Sequence, residues 1–280
     1  MVASILPAGF NPITAGIFQG AEIASFGFKQ TPVTNSEFGA VGRNQFVLLD
    51  HDWNTGETKL KKSGKSLEEV VGGPAFVSEG INFDQGHILV LGSTILLKMV
   101  ENPSAQYDEK KRVFGGANQP AVGITYFHAK AWCLLKTLES GGEFTYDLPT
   151  DAQYEYVASD RRTKEYGTET GALFKGKRKL AHIDKFKDGK GTTVAVDDPR
   201  YEQDLPFGVQ TTGNVWRWIK FNPKFKRPND YFCGPYGLRG GSWNYYTDGG
   251  RAANRSGGHA GDRGGNVGFS PVVVRQDSPS

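Results

Sequence analysis

The sequence predicts an α+β fold of twisted antiparallel strands, two main helices and much irregular structure. Three observations predict it. Two segments carry the apolar period of an amphipathic helix behind a capping residue. Most other apolar runs are short, β-prone and bounded by turn residues. Glycine and proline, 37 and 14 of 280 residues, interrupt the chain too often for long helices.

Each element has its own warrant. A short helix is expected near 35–41. FVLL at 46–49 and ILVLGSTILLKMV at 88–100 read as strands. Over 125–140, apolar side chains recur at Phe127, Ala131, Leu134, Leu135 and Leu138, one face of a helix. Thr125 is its N-cap and Gly141-Gly142 its stop. Thr150 and Gln153 form a T-x-x-Q capping box ahead of AQYEYVAS, the second helix. VVVR at 272–275 is a last strand. Between these lies a basic stretch, 161–190, with ten Lys/Arg against four Asp/Glu. It reads as a solvated insertion within 160–205, with an anionic partner as the sharper alternative.

Composition excludes several classes. Apolar residues make up 38 % and aromatics 12 %, enough for a buried core. The formal charge is +3, too balanced to argue for nucleic acid or a membrane surface. No apolar run is long enough to span a bilayer. MVASILPAGFNPITAG lacks a basic n-region, so no signal peptide is expected and synthesis is assigned to the cytoplasm, with virion or surface display left open. Two cysteines, Cys133 and Cys233, do not make a disulfide scaffold. KSGKS at 62–66 and KDGKGTT at 187–193 lack the glycine spacing or the GK[ST] triplet of a phosphate loop. The five histidines form no zinc spacing, and no G-x-S-x-G is present. No metal or cofactor site is expected.

Motifs in a fixed order add more. KQTPVTNSEF (29–38), NQPAVGITYFHAKAWC (118–133), LPTDAQYEYVAS (148–159), GNVWRW (213–218), LRGGSW (238–243) and NVGF (266–269) follow one another. This order resembles the formylglycine-generating-enzyme (sulfatase-modifying factor) type of C-type lectin fold. The resemblance implies one domain over 1–280. Enzymes of that family resemble copper-dependent oxidases with a cysteine pair after the RGGSW-like segment. Here no cysteine follows Cys233, which precedes that segment, and Arg217 stands where the family commonly has Glu. The fold therefore does not carry the activity with it. Calcium enters by fold analogy only, since no Asp/Asn cluster supplies its ligands.

The last part of the chain, 238–275, is unusual. The last Glu is Glu202 and the last Lys is Lys226, and 12 of the 37 glycines fall in 234–268. Within 244–266 the residues other than arginine are drawn from Tyr, Thr, Asp, Gly, Ser, His, Ala and Asn. Changing only the adenines of the Asn codon AAY yields Tyr, Asp, His, Ser or Gly. The pattern resembles the variable proteins of diversity-generating retroelements, which use this same lectin fold. Carried over, the scaffold is Arg239, Gly240, Gly241, Ser242, Trp243, Arg251, Asn254, Arg255, Arg263, Asn266, Gly268 and Phe269. The diversified, ligand-binding set is Tyr245, Tyr246, Asp248, Gly249, Gly250, Ser256, Gly257, Gly258, His259, Asp262, Gly264 and Gly265. Tyrosines give stiff amphipathic contact area, as in antibody paratopes. The resemblance implies a non-enzymatic protein that binds a protein or other macromolecule through a hypervariable surface. A formylglycine-generating-type oxidase or degenerate relative, and a structural phage or cell-surface component, are the alternatives.

Overall fold

The computed structural model describes residues 6–73, 80–109, 112–175, 178–183, 191–201, 205–224 and 235–276. In chain order the elements are β1 (Phe10–Ile13), β2 (Gly16–Phe18), β3 (Ala21–Ile23), β4 (Phe26–Lys29), α1 (Asn35–Gly42), β5 (Gln45–His51), β6 (Thr58–Gly64) and α2 (Leu67–Val71). They continue as β7 (Leu89–Leu91), β8 (Thr94–Met99), α3 (Tyr126–Glu139), β9 (Phe144–Asp147), α4 (Asp151–Ala158), β10 (Phe174–Lys175) and β11 (Arg178–Lys179). The last are β12 (Trp216–Trp218), β13 (Tyr236–Arg239), β14 (Arg255–Gly258), β15 (Val267–Phe269) and β16 (Val272–Arg275). Among the described residues no helix is long and apolar enough to cross a membrane.

Each of the four α-helices among the described residues starts at a capping box. Thr34, Ser66, Thr125 and Thr150 each accept from the N3 backbone N–H, while Glu37, Glu69, His128 and Gln153 reach back to the cap. Ser66 thus shows what KSGKS is: the end of β6 followed by a helix cap. KDGKGTT lies partly outside the described residues. The run at 88–100 folds back on itself as the hairpin β7–β8, turning at Gly92, whose φ is 61°.

Three four-stranded sheets carry the fold, in the orders β1-β4-β16-β9, β6-β5-β8-β7 and β14-β13-β12-β15. Pairing is antiparallel except between β12 and β15, which run parallel with Trp216 opposite Val267 and Trp218 opposite Phe269. One apolar core joins all three sheets to α3; Leu49, Leu97, Phe127, Trp132, Trp218, Phe269 and Val273 belong to it. The expected helical face is exceeded on one side and falls short at its end. Tyr126, Ala129, Trp132 and Cys133 are buried as well, whereas Leu138 is 65 % exposed. The sheets and α1 enclose the first turns of α3, and its C-terminal turn emerges into solvent.

The insertion is not simply solvated. Tyr166, Leu173, Ala181 and Ile183 form a small core of their own. Its described cations are engaged locally: Lys164 Nζ lies 3.1 Å from Asp160, Lys175 Nζ 3.7 Å from Glu169, and the Arg161 guanidinium 4.6 Å from the Phe207 ring centroid. Lys177, Lys185, Lys187 and Lys190 lie outside the described residues.

Candidate functional site

The window 238–275 leaves the sheet at the end of β13 and returns to it twice, as β14 and as β15. Its turn-off needs glycine. Gly240 and Gly241 have φ of 91° and 72°. A Cβ on Gly240 would lie 2.4 Å from both the Thr211 carbonyl oxygen and the Tyr154 hydroxyl. Only a residue without a side chain fits both the conformation and the space. Ser242 and Trp243 then turn inward. The Trp243 backbone N–H donates to the Asn214 carbonyl at 3.0 Å, and its indole N–H to the Gly265 carbonyl at 2.9 Å.

Beneath the window sits an ionic cluster. Arg239 and Arg255 are direct partners across β13 and β14. Arg239 is fully buried; its Nη2 donates to Glu155 Oε2 at 2.7 Å, and its Nε lies 3.0 Å from Asp151 Oδ1. Arg255 donates to Asp151 Oδ2 from Nε at 3.0 Å and Nη2 at 2.9 Å, and also to Glu155. Two guanidinium groups face two carboxylates, and Gln19 donates to the remaining Glu155 oxygen at 3.1 Å. Burial pushes the Arg239 pKa down, although Asp151 and Glu155 pull against it. For Arg255 burial acts the same way, but the two carboxylates outweigh it and its pKa is raised. Such a network binds α4 to the window. Asp151 and Glu155 are site residues that the motif reading leaves out. Their signal is the i,i+4 carboxylate pair in LPTDAQYEYVAS, on one face of a helix.

The remaining scaffold positions divide. Asn254 donates to the Gly249 carbonyl at 3.2 Å, Asn266 to Asn244 Oδ1 at 3.0 Å, and Phe269 is fully buried against Trp132. Gly268 is packed against the Ala121 carbonyl, 2.9 Å from where a Cβ would be. Arg263 reaches past Gly86 toward His128. Arg251 faces outward, with Nε 2.8 Å from Glu165 and Nη2 3.5 Å from Asp248.

The set expected to vary also divides. Tyr245, Tyr246, Asp248, His259 and Asp262 are exposed, and Ser256, Gly257, Gly258, Gly264 and Gly265 are half-buried. Gly249 and Gly250 depart from the expected surface: both are buried. A Cβ on Gly249 would lie 2.4 Å from the Tyr245 ring, and one on Gly250 2.7 Å from Ile183 Cδ1 and 3.1 Å from Thr212 Cγ2. These two glycines make room for Tyr245 and for the insertion. Tyr245 packs edge-on against buried Trp216 with centroids 5.2 Å apart, and Tyr246 stands 6.1 Å beyond it. Asp262 Oδ2 accepts the His259 backbone N–H at 2.8 Å.

The exposed side chains occupy two ends of one strip. Register places Arg255 opposite Arg239 and Gly258 opposite Tyr236. The Tyr245–Asp248 turn therefore lies at one end of β14 and His259–Asp262 at the other, about 13 Å apart along a four-residue strand.

Cys133 is fully buried in α3 and burial pushes its thiol pKa up. Cys233 lies outside the described residues. Among the described residues no group of three or more His, Cys, Asp or Glu could share a metal ion.

Comparison with known structures places this architecture. Treponema denticola variable protein 1 is similar over 97 % of this chain and 92 % of its own, at 14 % identity and a TM-score of 0.53. CarF is similar over 98 % and 100 %, at 16 % identity and a TM-score of 0.56. PvdO from Pseudomonas aeruginosa is similar over 95 % and 92 %, at 17 % identity and a TM-score of 0.52. At these identities the likeness establishes the fold, which is of the formylglycine-generating type. No curated protein sequence matches. The family model of the sulfatase-modifying factor enzyme 1-like domain matches residues 15–275. Nearly the whole chain is covered, and the protein belongs to the sulfatase-modifying factor enzyme 1-like domain family.

Proposed function

We propose that this chain is a non-enzymatic ligand-binding protein, a variable protein of a diversity-generating retroelement, which displays its 238–275 region to a macromolecular target. One observation carries the reading. Within a single window, the motif-like positions Arg239–Trp243, Arg255 and Phe269 lie in the floor, while Tyr245, Tyr246, Asp248, His259 and Asp262 stand in solvent above it. A surface that must accept many side chains needs that separation, because exposed substitutions leave the packing beneath unchanged. The likeness to Treponema denticola variable protein 1 supports the same reading.

The size of the strip favours a macromolecule. Its two exposed ends are separated by about 13 Å of strand. A protein partner covering about 800 Å² spans both. The oxidase alternative would need a reactive thiol pair, and Cys133 is enclosed in the core. The decisive experiment is to sequence the locus. A near-identical template copy with Asn codons at the exposed positions, beside a reverse transcriptase, is the expected result. A locus with neither refutes the proposal.

A further inference from the structure

We infer that the corner formed by Tyr245, Tyr246 and Asp248 takes an arginine side chain of a protein partner. The inference rests on the ligand-binding reading above and assigns the chemistry of one part of that surface.

Three observations converge on it. First, the aromatic pair is preset. Trp216 holds Tyr245 from below, Gly249 leaves room for its ring, and Tyr246, 70 % exposed, extends the aromatic surface outward. An aromatic ring face attracts a cation, and a planar guanidinium both stacks on it and donates in its plane. Second, the same turn carries a carboxylate, Asp248, two residues after Tyr246. The Asp248 side chain is 78 % exposed, and its ion pair with Arg251 is a loose 3.5 Å contact at Oδ1. Arg251 has a closer partner in Glu165, at 2.8 Å. Asp248 therefore keeps acceptor capacity for a charge-assisted hydrogen bond. Third, the local charge is negative. Two carboxylates, Asp248 and Glu165, face one guanidinium at this corner, in a chain whose formal charge is +3.

The test uses the full chain and two small probes, N-acetyl-arginine amide and its uncharged isostere N-acetyl-citrulline amide. With ¹³C-labelled tyrosine, the arginine probe should shift the Tyr245 and Tyr246 ring resonances saturably, and citrulline should bind about tenfold more weakly. Tyr246→Ala and Asp248→Asn should each weaken the arginine probe about fivefold while the unfolding midpoint stays at the wild-type value. Equal shifts from the two probes, or wild-type binding by Asp248→Asn, would overturn the assignment. The two readings fail separately. A locus without a template removes the diversified-surface reading and does not alter the probe titration; a failed titration removes only the guanidinium assignment.

Discussion

At the scale of single residues, four glycines of the window have two different jobs. Gly240 and Gly241 supply a left-handed backbone in crowded surroundings. Gly240→Ala should lower stability by about 1–3 kcal/mol or more in urea unfolding, through strain and the clash with the Thr211 carbonyl. Tyr246→Ala, by contrast, should stay within about 0.5 kcal/mol of wild type, because the ring is exposed. Gly249 and Gly250 have no such backbone demand; they are small because Tyr245 and Ile183 fill the space beside them. The sequence makes the first pair readable, since Gly-Gly in a motif implies a backbone need. It hides the second pair, because a glycine under a neighbouring side chain has the same letter as a glycine in solvent. Composition alone does not separate the two kinds of glycine; burial does.

Among elements, the caps were legible and the partners were not. Thr125 and Thr150 mark α3 and α4 within one residue, since a capping box is a local signal four residues long. The Asp151–Glu155 pair is equally visible on α4, but its arginines are 84 to 104 residues away, and nothing local points to them. Glu155→Ala would leave buried Arg239 with a weakened counter-charge and should cost about 3–5 kcal/mol. A double-mutant cycle with Arg239→Met, read by urea unfolding, should show strong coupling. α3 also carries a pH-sensitive cap. His128 sits at N3 with Nδ1 2.7 Å from the Thr125 hydroxyl, and burial, then the charge of Arg263, lowers its pKa from 6.5 to about 3. The unfolded chain takes up this proton first, near pH ~6.5. The contribution of neutral His128 is therefore fully present above that pH and is lost as pH falls toward 3. Urea midpoints measured between pH 7 and about 4 should decline, and His128→Gln, which keeps a capping-box acceptor, should flatten the decline.

For the whole molecule, the motifs pointed to the fold family and left its arrangement open. Order and spacing of the motifs pointed to one lectin-type fold, while the packing of the insertion against the window depends on Ile183, Tyr166 and Glu165, which no motif marks. Ala252 N–H donates to the Glu165 carbonyl at 2.7 Å, and Ile183 lies under Gly241 and Gly250. Ile183→Ala should cost about 2–4 kcal/mol, and Gly250→Ala should be better tolerated in that background than in wild type, which a thermodynamic cycle would measure. The last strand has a consequence of another kind. β16 is inserted between β4 and β9, pairing Val272 with both Phe28 and Asp147. The sheet cannot close until the ribosome has read through the whole window, so folding of this sheet depends on synthesis of everything before Arg275. A chain stopped inside 244–266 lacks Phe269 and β16 and leaves a gap in the middle of the sheet, so it should show none of the cooperative unfolding of the full chain.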